Sequence, residues 1–362
     1  MRVAAPVGNR VVLRRRTGDH GRHGGSSAVR SPLQGGLPPG GAVVIGAVVE
    51  IACDESGFSG TNLLHSTAPV ITHASVDLAV DEAVALITSL RSRFRFAPHE
   101  LKSGRFLRGS GAQEALEWFL TALAGRAHVH LIDKEFFLVT RIVDFLLTEP
   151  SYAAGTRLAR EHHPTALALH EAGRSAGGDW GAFLSAFVDL VRMKRRLPVD
   201  QTVQRFFQAR DALRRHRLGT VADAALDGLG PSHVRAVVAR LDVDDRTVPP
   251  PLEPLLPALA ETVLSWSGGQ RQVLVTHDEQ SALTADRLTR LQRVLADSNA
   301  STAGVERAGA LPNGVSPLAG LVMVDSRDDP RVQVADLLAG VARRMPGIID
   351  DALRQPPPSP AG

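Results

Sequence analysis

An apolar run that ends in two acidic residues constrains this chain more than any other feature of its sequence. The segment from Val49 to Gly57 reads Val-Glu-Ile-Ala-Cys-Asp-Glu-Ser-Gly. A short run rich in Val, Ile and Ala that is ended by Gly predicts a buried β-strand. The carboxylate of Asp54 would then be held rigidly at a sheet edge, where it offers the oxygen ligand that a hard divalent cation prefers. The alternative is a turn in which Asp54 and Ser56 cap the backbone.

Two later apolar runs also end in acidic residues. One leads from Val273 into Asp278 and Glu279, and the other leads from Leu321 into Asp325. Further strands are expected at residues 68–72 and 127–132. Amphipathic periodicity predicts helices at residues 76–94, 113–124, 283–298 and 331–344. Together these patterns indicate an α/β domain.

The strand expected at residues 127–132 carries two histidines at alternating positions. His128 and His130 therefore share one face of that strand. We expect exposed strand positions rather than metal ligands, because nothing nearby completes a zinc-binding set.

Composition and periodicity divide the chain into segments. Residues 1–41 carry seven arginines and one acidic residue, and they lack periodicity, which predicts a disordered basic tail. Residues 136–269 show helical patterns without strand signals, which predicts an all-helical insertion. The α/β domain would then comprise residues 42–135 and 270–350, followed by a Pro-rich tail at 351–362. Within the insertion, helices are expected at residues 136–147, 152–162, 180–196, 203–217 and 232–241.

Several functional classes are excluded by these features. No apolar run reaches the roughly 20 residues of a membrane span, so no membrane partner is expected. None of the three lysines follows a glycine, so the phosphate loop of nucleoside triphosphatases is lacking, although Leu264–Gln270 superficially resembles an ABC-type signature. The single cysteine, Cys53, lies in the expected buried strand, which predicts an inert thiol and a reducing, cytoplasmic compartment.

One stretch of the expected insertion is strongly basic. Residues 192–217 hold nine Arg or Lys against two acidic residues, with Phe206 and Phe207 interleaved. Such a stretch is suited to track a nucleic-acid backbone and stack its bases. The alternative is a solvated helix face with both phenylalanines in the helical core. The expected nucleic-acid contacts are Arg192, Lys194, Arg195, Arg196, Arg205, Arg210, Arg214 and Arg215.

Four acidic residues that lie far apart in the sequence are expected at positions where a folded sheet could bring them together. Asp54 and Asp278 end strands, Glu100 follows the first long helix, and Asp336 lies on the last helix. Such carboxylates can converge at one sheet edge, where they repel one another unless cations bridge them. Two Mg²⁺ or Mn²⁺ ions roughly 4 Å apart would activate a water and stabilise the leaving oxygen in phosphodiester cleavage.

The motifs around these acids resemble those of a bacterial family, domain of unknown function 3800 (DUF3800), which is placed among the ribonuclease H-like folds. The resemblance covers about residues 48–135 and 270–345, and its motifs are Asp54-Glu55-Ser56-Gly57, Glu100-Leu101-Lys102, Asp325-Ser326 and Gln333 to Gly340. It implies a ribonuclease H-like mixed sheet flanked by helices.

The resemblance also implies a role for each acid. Asp54 would bridge both metals, Glu100 would be the second ligand, and Asp336 would hold the second metal. Asp278 would be the acid on the later strand, with Glu279 and Asp325 as alternatives. The resemblance further implies that Lys102 contacts the scissile phosphate and that Glu55 and Gln333 support the ligands.

The function expected from these residues is a Mg²⁺- or Mn²⁺-dependent nuclease, with defence against mobile DNA as one setting. One alternative is a non-catalytic module that holds nucleic acid through its basic helices. Another is a regulatory protein whose acids only cap strands.

Overall fold

The structure, a computed structural model, describes residues 36–38, 48–58, 60, 63–64, 68–94, 102–108, 111–192, 197–301 and 310–347. Most of the expected basic tail, the whole Pro-rich tail and Glu100 lie outside these residues. Within them the strands are β1 (Val48–Ser56), β2 (Val70–Val76), β3 (Ala127–Asp133), β4 (Gln272–Asp278) and β5 (Leu318–Val324).

The five strands form one mixed sheet in the order β3-β2-β1-β4-β5. The central strand β1 pairs antiparallel with β2 and parallel with β4, while β3 is antiparallel to β2 and β5 is parallel to β4. The carboxyl ends of β1, β4 and β5 therefore meet at one edge of the sheet, the edge at which open α/β sheets bind their ligands. The expected α/β fold with a mixed sheet and flanking helices is confirmed.

Helices cover both faces of the sheet and fill the long connection from β3 to β4. The helices outside that connection are α1 (Val80–Phe94), α2 (Ser103–Phe106), α3 (Ala112–Leu123), α11 (Ala285–Ser301) and α12 (Pro330–Arg344). The helices within it are α4 (Lys134–Leu146), α5 (His163–Arg174), α6 (Gly178–Val191), α7 (Val199–Arg214), α8 (Thr220–Gly228), α9 (Pro231–Asp242) and α10 (Leu255–Ser267). The helical character predicted for residues 136–269 thus agrees with the structure, whereas an insertion into a ribonuclease H-like domain stays a prediction.

The alternation of side chains along β1 assigns each face of the sheet to its own helices. Ala52 packs into a core with α1, α3 and α12, while Ile51 and Cys53 pack into a core with α10 and α11. Thr72 of β2 ties the first face to α12, because its hydroxyl donates to the carbonyl oxygen of Ala339 at 2.7 Å. Asp54 shares the face of Ala52 and therefore lies on the α12 side.

The helices between β3 and β4 have a core of their own. Phe206 of α7 is completely buried and stacks on Phe183 of α6 with ring centroids 5.4 Å apart. Phe207 is partly buried against the same core. Phe206 therefore belongs to the helical core, as the alternative interpretation proposed, and it is not available to stack bases.

Two expectations about local structure are wrong. Residues 152–162 do not form one helix, since a 3-10 helix spans only Arg157–His162 and α5 begins at His163. The predicted disorder of residues 1–41 fails at Leu37, whose N–H donates to Leu321 of β5 at 2.8 Å and whose carbonyl accepts from it at 2.7 Å. An isolated backbone bridge of this kind has no periodicity and gives no signal in the sequence.

The expectation that His128 and His130 are exposed is also wrong. Both side chains are partly buried, because α10 packs over their face of β3. Burial lowers the pKa of His128 to about 4 and also lowers the pKa of His130. Neither imidazole is therefore charged at neutral pH.

Among the residues that the structure describes, no helix combines the length and the apolar character that a bilayer span requires.

Candidate active site

Asp54 is the buried centre of an acidic cluster. It lies two residues before the end of the central strand, only 6% exposed, and its Oδ1 accepts the N–H of Glu55 at 2.7 Å. Burial raises the pKa of Asp54 well above its ordinary value, and the charges of Glu55, Asp336 and Asp278 raise it further. The structure thus places two of the other predicted acids, Asp278 and Asp336, within electrostatic range of Asp54. The fourth, Glu100, lies outside the described residues.

Asp278 reaches this cluster through parallel strand pairing. Cys53 of β1 is opposite His277 of β4, so the residues that follow them, Asp54 and Asp278, are neighbours on one face of the sheet. Asp278 Oδ1 accepts the backbone N–H of Ser326 at 2.9 Å, which ties the end of β4 to the segment after β5.

The two alternatives for this third acid have other surroundings. Asp325 forms an ion pair with Arg327 at 2.8 Å, and Glu279 is exposed. The geometry therefore favours Asp278 as the strand acid beside Asp54.

Asp336 and Lys102 form the solvent side of the cluster. Asp336 lies in the second turn of α12, and its Oδ2 is 3.6 Å from Nζ of Lys102. The side chain of Asp336 is 25% exposed and that of Lys102 is 59% exposed. A positive charge therefore lies beside Asp336 on the solvent side of the acidic cluster.

Two glycines allow the close packing that builds this site. A Cβ on Gly340 of α12 would clash with the side chain of Ser103, so only glycine lets α2 approach α12 and bring Lys102 to Asp336. Gly57 has φ +95°, and a Cβ there would lie 2.7 Å from the carbonyl oxygen of Val70. The glycines that end the first and last motifs are thus explained by packing.

Glu55 points away from α12 and adds a further buried negative charge. Its Oε1 accepts a hydrogen bond from Gln280 Nε2, while its Oε2 is buried and has no hydrogen-bond partner among the described residues. Burial, together with the charges of Asp278 and Glu253, raises the pKa of Glu55 to about 7.

Gln333 lies one turn before Asp336 on α12. Its Nε2 donates to the carbonyl oxygen of Arg327 at 3.4 Å, so it contacts the segment that follows β5. This position borders the acidic cluster without joining it.

The side chains at this edge suit a hard divalent cation in their chemistry. Carboxylate oxygens are the ligands that Mg²⁺ and Mn²⁺ prefer. Burial, and then neighbouring negative charge, raise the pKa values of Asp54 and Glu55, and a cation would neutralise that charge. Oε2 of Glu55, which is buried and has no hydrogen-bond partner among the described residues, is a further oxygen whose negative charge is not compensated. Within the described residues, however, no three His, Cys, Asp or Glu side chains are grouped closely enough to hold an ion. The predicted ligand Glu100 is not among them.

A hydrogen-bonded histidine pair beneath Asp278 was not singled out from the sequence. His73 of β2 and His277 of β4 are both completely buried, and their Nε2 atoms are 3.2 Å apart. His277 Nδ1 is 2.9 Å from the carbonyl oxygen of Asp278, and Thr262 Oγ1 is 2.8 Å from His73 Nδ1. The available signal was a lone histidine inside each of two apolar strands.

Two arginines of the predicted basic surface of α7 are paired with carboxylates. Arg210 pairs with Asp211 at 2.6 Å, and Arg214 pairs with Asp227 at 2.5 Å. Lys194, Arg195 and Arg196 lie outside the described residues, and Arg192 is partly buried. Arg205 and Arg215 are exposed, and neither is in an ion pair with another described residue. Nucleic-acid binding by this helix stays a prediction.

A cavity of about 570 Å³ opens on the opposite face of the sheet, between β3, α4 and α10. Several of its polar groups are paired with each other, since Arg157 forms an ion pair with Glu261 at 2.7 Å and His162 Nδ1 is 2.9 Å from Oδ1 of Asp144. Its other walls are mainly apolar. We therefore give it less weight than the acidic cluster, whose charges repel one another.

Comparison of the chain with protein-family models, with curated proteins and with solved structures gave no match. The resemblance to the DUF3800 family and the ribonuclease H-like assignment therefore stay predictions.

Proposed function

We propose that this protein is a Mg²⁺- or Mn²⁺-dependent nuclease that hydrolyses phosphodiester bonds at the acidic cluster. The observation that carries the proposal is the convergence of Asp54, Asp278 and Asp336 from β1, β4 and α12. Burial first, and then the charges of Glu55, Asp336 and Asp278, raise the pKa of Asp54. Carboxylates that are brought together in this way are typical of sites where bound cations neutralise the negative charge.

The position of each acid supports a ligand role. Asp54 lies on the central strand, Asp278 on its parallel neighbour, and Asp336 on the helix that packs over both strands. This is the arrangement that the ribonuclease H-like plan implies for the acids on the first strand, the later strand and the last helix. The same correspondence is the reason to expect Glu100 as a further ligand.

The acidic residues and Lys102 would have different roles in this site. Asp54, Asp278 and Asp336, with Glu100, would hold the cations, which when bound lower the pKa of a water and neutralise phosphate charge. Asp54, buried on the central strand, would be the innermost of these ligands. Lys102, largely exposed beside Asp336, is placed to bind a non-bridging phosphate oxygen.

The test is Mn²⁺ binding by titration calorimetry, combined with cleavage of labelled DNA and RNA. Asp54→Asn removes the buried charge with little change in volume, and we expect it to weaken Mn²⁺ binding at least about tenfold, which is about 1.4 kcal/mol, and to abolish cleavage. Glu279→Gln, which removes an exposed charge beside Asp278, is the matched control and should leave both unchanged.

Two outcomes would overturn the proposal. One is Mn²⁺ binding of equal strength in the wild type and in Asp54→Asn. The other is a wild type that binds Mn²⁺ but cleaves neither nucleic acid, which would favour the non-catalytic module.

A further inference from the structure

Three arginines that the sequence did not single out gather beside the candidate active site. Arg344 Nη1 donates to Ser103 Oγ at 2.9 Å, and Arg108 Nε donates to the carbonyl oxygen of Gly104 at 2.5 Å. A Cβ on Gly104 would lie 3.1 Å from Nη2 of Arg344 and 3.2 Å from Nη2 of Arg108, so both guanidinium groups converge on this glycine. Together with Arg343 they are called the arginine cluster below.

The arginine cluster is short of negative partners. Among the described residues, no carboxylate forms an ion pair with Arg108, Arg343 or Arg344, and Nε of Arg343 is buried without a hydrogen-bond partner. Partial burial and the charges of Arg343 and Arg108 lower the pKa of the Arg344 guanidinium, which shows that the like charges act on one another. An anion placed among these groups would relieve their repulsion.

Packing fixes the arginine cluster beside the acidic cluster. The Cδ atom of Arg343 packs against Gly57, three residues after Asp54. A Cβ added to Gly57 would lie only 2.7 Å from that Cδ atom. Arg344 binds Ser103, which directly follows Lys102, the residue that pairs with Asp336. The arginines thus border the mouth of the site on the side formed by α2 and the carboxyl end of α12.

We propose that Arg108, Arg343 and Arg344 bind the phosphate groups of a nucleic-acid strand and lead that strand across the acidic cluster. This inference deepens the proposed function and rests on it, since it names the surface that holds the substrate. Guanidinium groups present a planar fork of N–H donors that matches the oxygens of a phosphate. The contact is to the backbone, so it is insensitive to base sequence.

The arginine cluster suits this role better than Arg210 and Arg214 of α7. Arg210 and Arg214 already have carboxylate partners, and a phosphate would have to displace them. Arg108 instead donates to a backbone carbonyl of α2 and Arg344 to a hydroxyl of α2. Both acceptors are neutral, so they do not compensate the positive charge of the two arginines. The arginine cluster is also adjacent to the acids that would act on the strand.

The experiment measures binding of a fluorescein-labelled single-stranded oligonucleotide by anisotropy in EDTA, over a series of salt concentrations. The variant is Arg108→Ala with Arg344→Ala, and the matched control is Arg271→Ala with Arg293→Ala, which removes the same charge from two exposed positions outside the arginine cluster and α7. We expect the first pair to weaken binding about tenfold or more and to lower the slope of log affinity against log salt by about 1.4, given about 0.7 for each phosphate contact on a single strand. The control should change affinity less than about threefold.

Arg108→Glu provides a second variant that leaves the bond between Arg344 and Ser103 in place, and it should weaken binding as well. The inference is overturned if the control pair loses as much affinity as the first pair, if the first pair and Arg108→Glu both bind normally, or if the wild type binds no oligonucleotide. Mn²⁺ titration of the same proteins separates the two proposals. Loss of Mn²⁺ binding in Asp54→Asn with normal strand binding by Arg108→Ala/Arg344→Ala refutes only the role of the arginines.

Discussion

His73 and His277 face each other in the buried interior, with their Nε2 atoms 3.2 Å apart and their rings stacked at 5.3 Å between centroids. The carbonyl oxygen of Asp278 only accepts, so His277 Nδ1 carries the hydrogen and its Nε2 accepts. His73 Nε2 must then donate, and His73 Nδ1 accepts from the hydroxyl of Thr262. One set of neutral tautomers satisfies the whole chain, which is consistent with the lowered pKa values that burial gives to both histidines.

Thr262→Val removes the first donor of this chain while conserving the shape of the side chain. The acceptor His73 Nδ1 would then be buried without a partner, which costs about 1–3 kcal/mol. We expect the free energy of unfolding, measured with urea, to fall by that amount. Thr262→Ser keeps the hydroxyl and should lose clearly less; equal losses for the two variants would show that the methyl group, rather than the hydrogen bond, matters here.

Glu55 makes the stability of the protein depend on pH near neutrality. Its pKa in the folded protein is about 7, above the ordinary value of 4.5, so the folded state binds more protons than the unfolded state between these two values. This contribution is fully present below about pH 4.5 and is lost as the pH rises through about 7. The shift corresponds to an upper limit of about 3 kcal/mol.

The measurement is the free energy of unfolding in EDTA from pH 4.5 to 8, compared between the wild type and Glu55→Gln. The stability of the wild type relative to Glu55→Gln should fall as the pH rises through about 7. The buried histidines are present in both proteins, so their titration cancels in this difference. Mn²⁺ at pH 8 should restore part of the lost stability of the wild type. A pH-independent difference would show that Glu55 is ionised without penalty.

Gly340 is required by the contact of α12 with α2. Gly340→Ala puts a methyl group into the side chain of Ser103, and overpacking of this kind costs about 1–3 kcal/mol. The double variant Gly340→Ala/Ser103→Gly makes room for the methyl group and should recover most of the stability, although it loses the bond from Arg344. If the second substitution restores nothing, the cost of Gly340→Ala has another origin.

The positions of the strands and of the acids that end them could be predicted from the sequence. The burial of side chains by distant elements, and the contacts between such elements, could not. The apolar runs before Asp54 and Asp278 are local patterns, and parallel pairing then makes these acids neighbours. No local pattern shows that α10 covers His128, because α10 is buried nearly all round and lacks the periodicity of an amphipathic helix. The arginine cluster likewise combines residues more than 200 positions apart.

Lys102 competes with cations for Asp336, and its removal therefore separates metal binding from catalysis. Lys102→Gln deletes the positive charge 3.6 Å from Asp336 Oδ2, so we expect Mn²⁺ to bind more tightly. An exposed ion pair contributes at most about 1 kcal/mol, which limits the gain to about fivefold. Nuclease activity at saturating Mn²⁺ should nevertheless fall, because the group that binds the phosphate oxygen is gone.

Calorimetry with Mn²⁺ and cleavage assays on the same preparation provide both measurements. Lys102→Arg is the control, since it retains the charge and should leave Mn²⁺ affinity near that of the wild type. If Lys102 were only a structural partner of Asp336, its replacement by Gln would change affinity and activity in the same direction. Opposite changes, with tighter Mn²⁺ binding and slower cleavage, are the result that a phosphate-binding role requires.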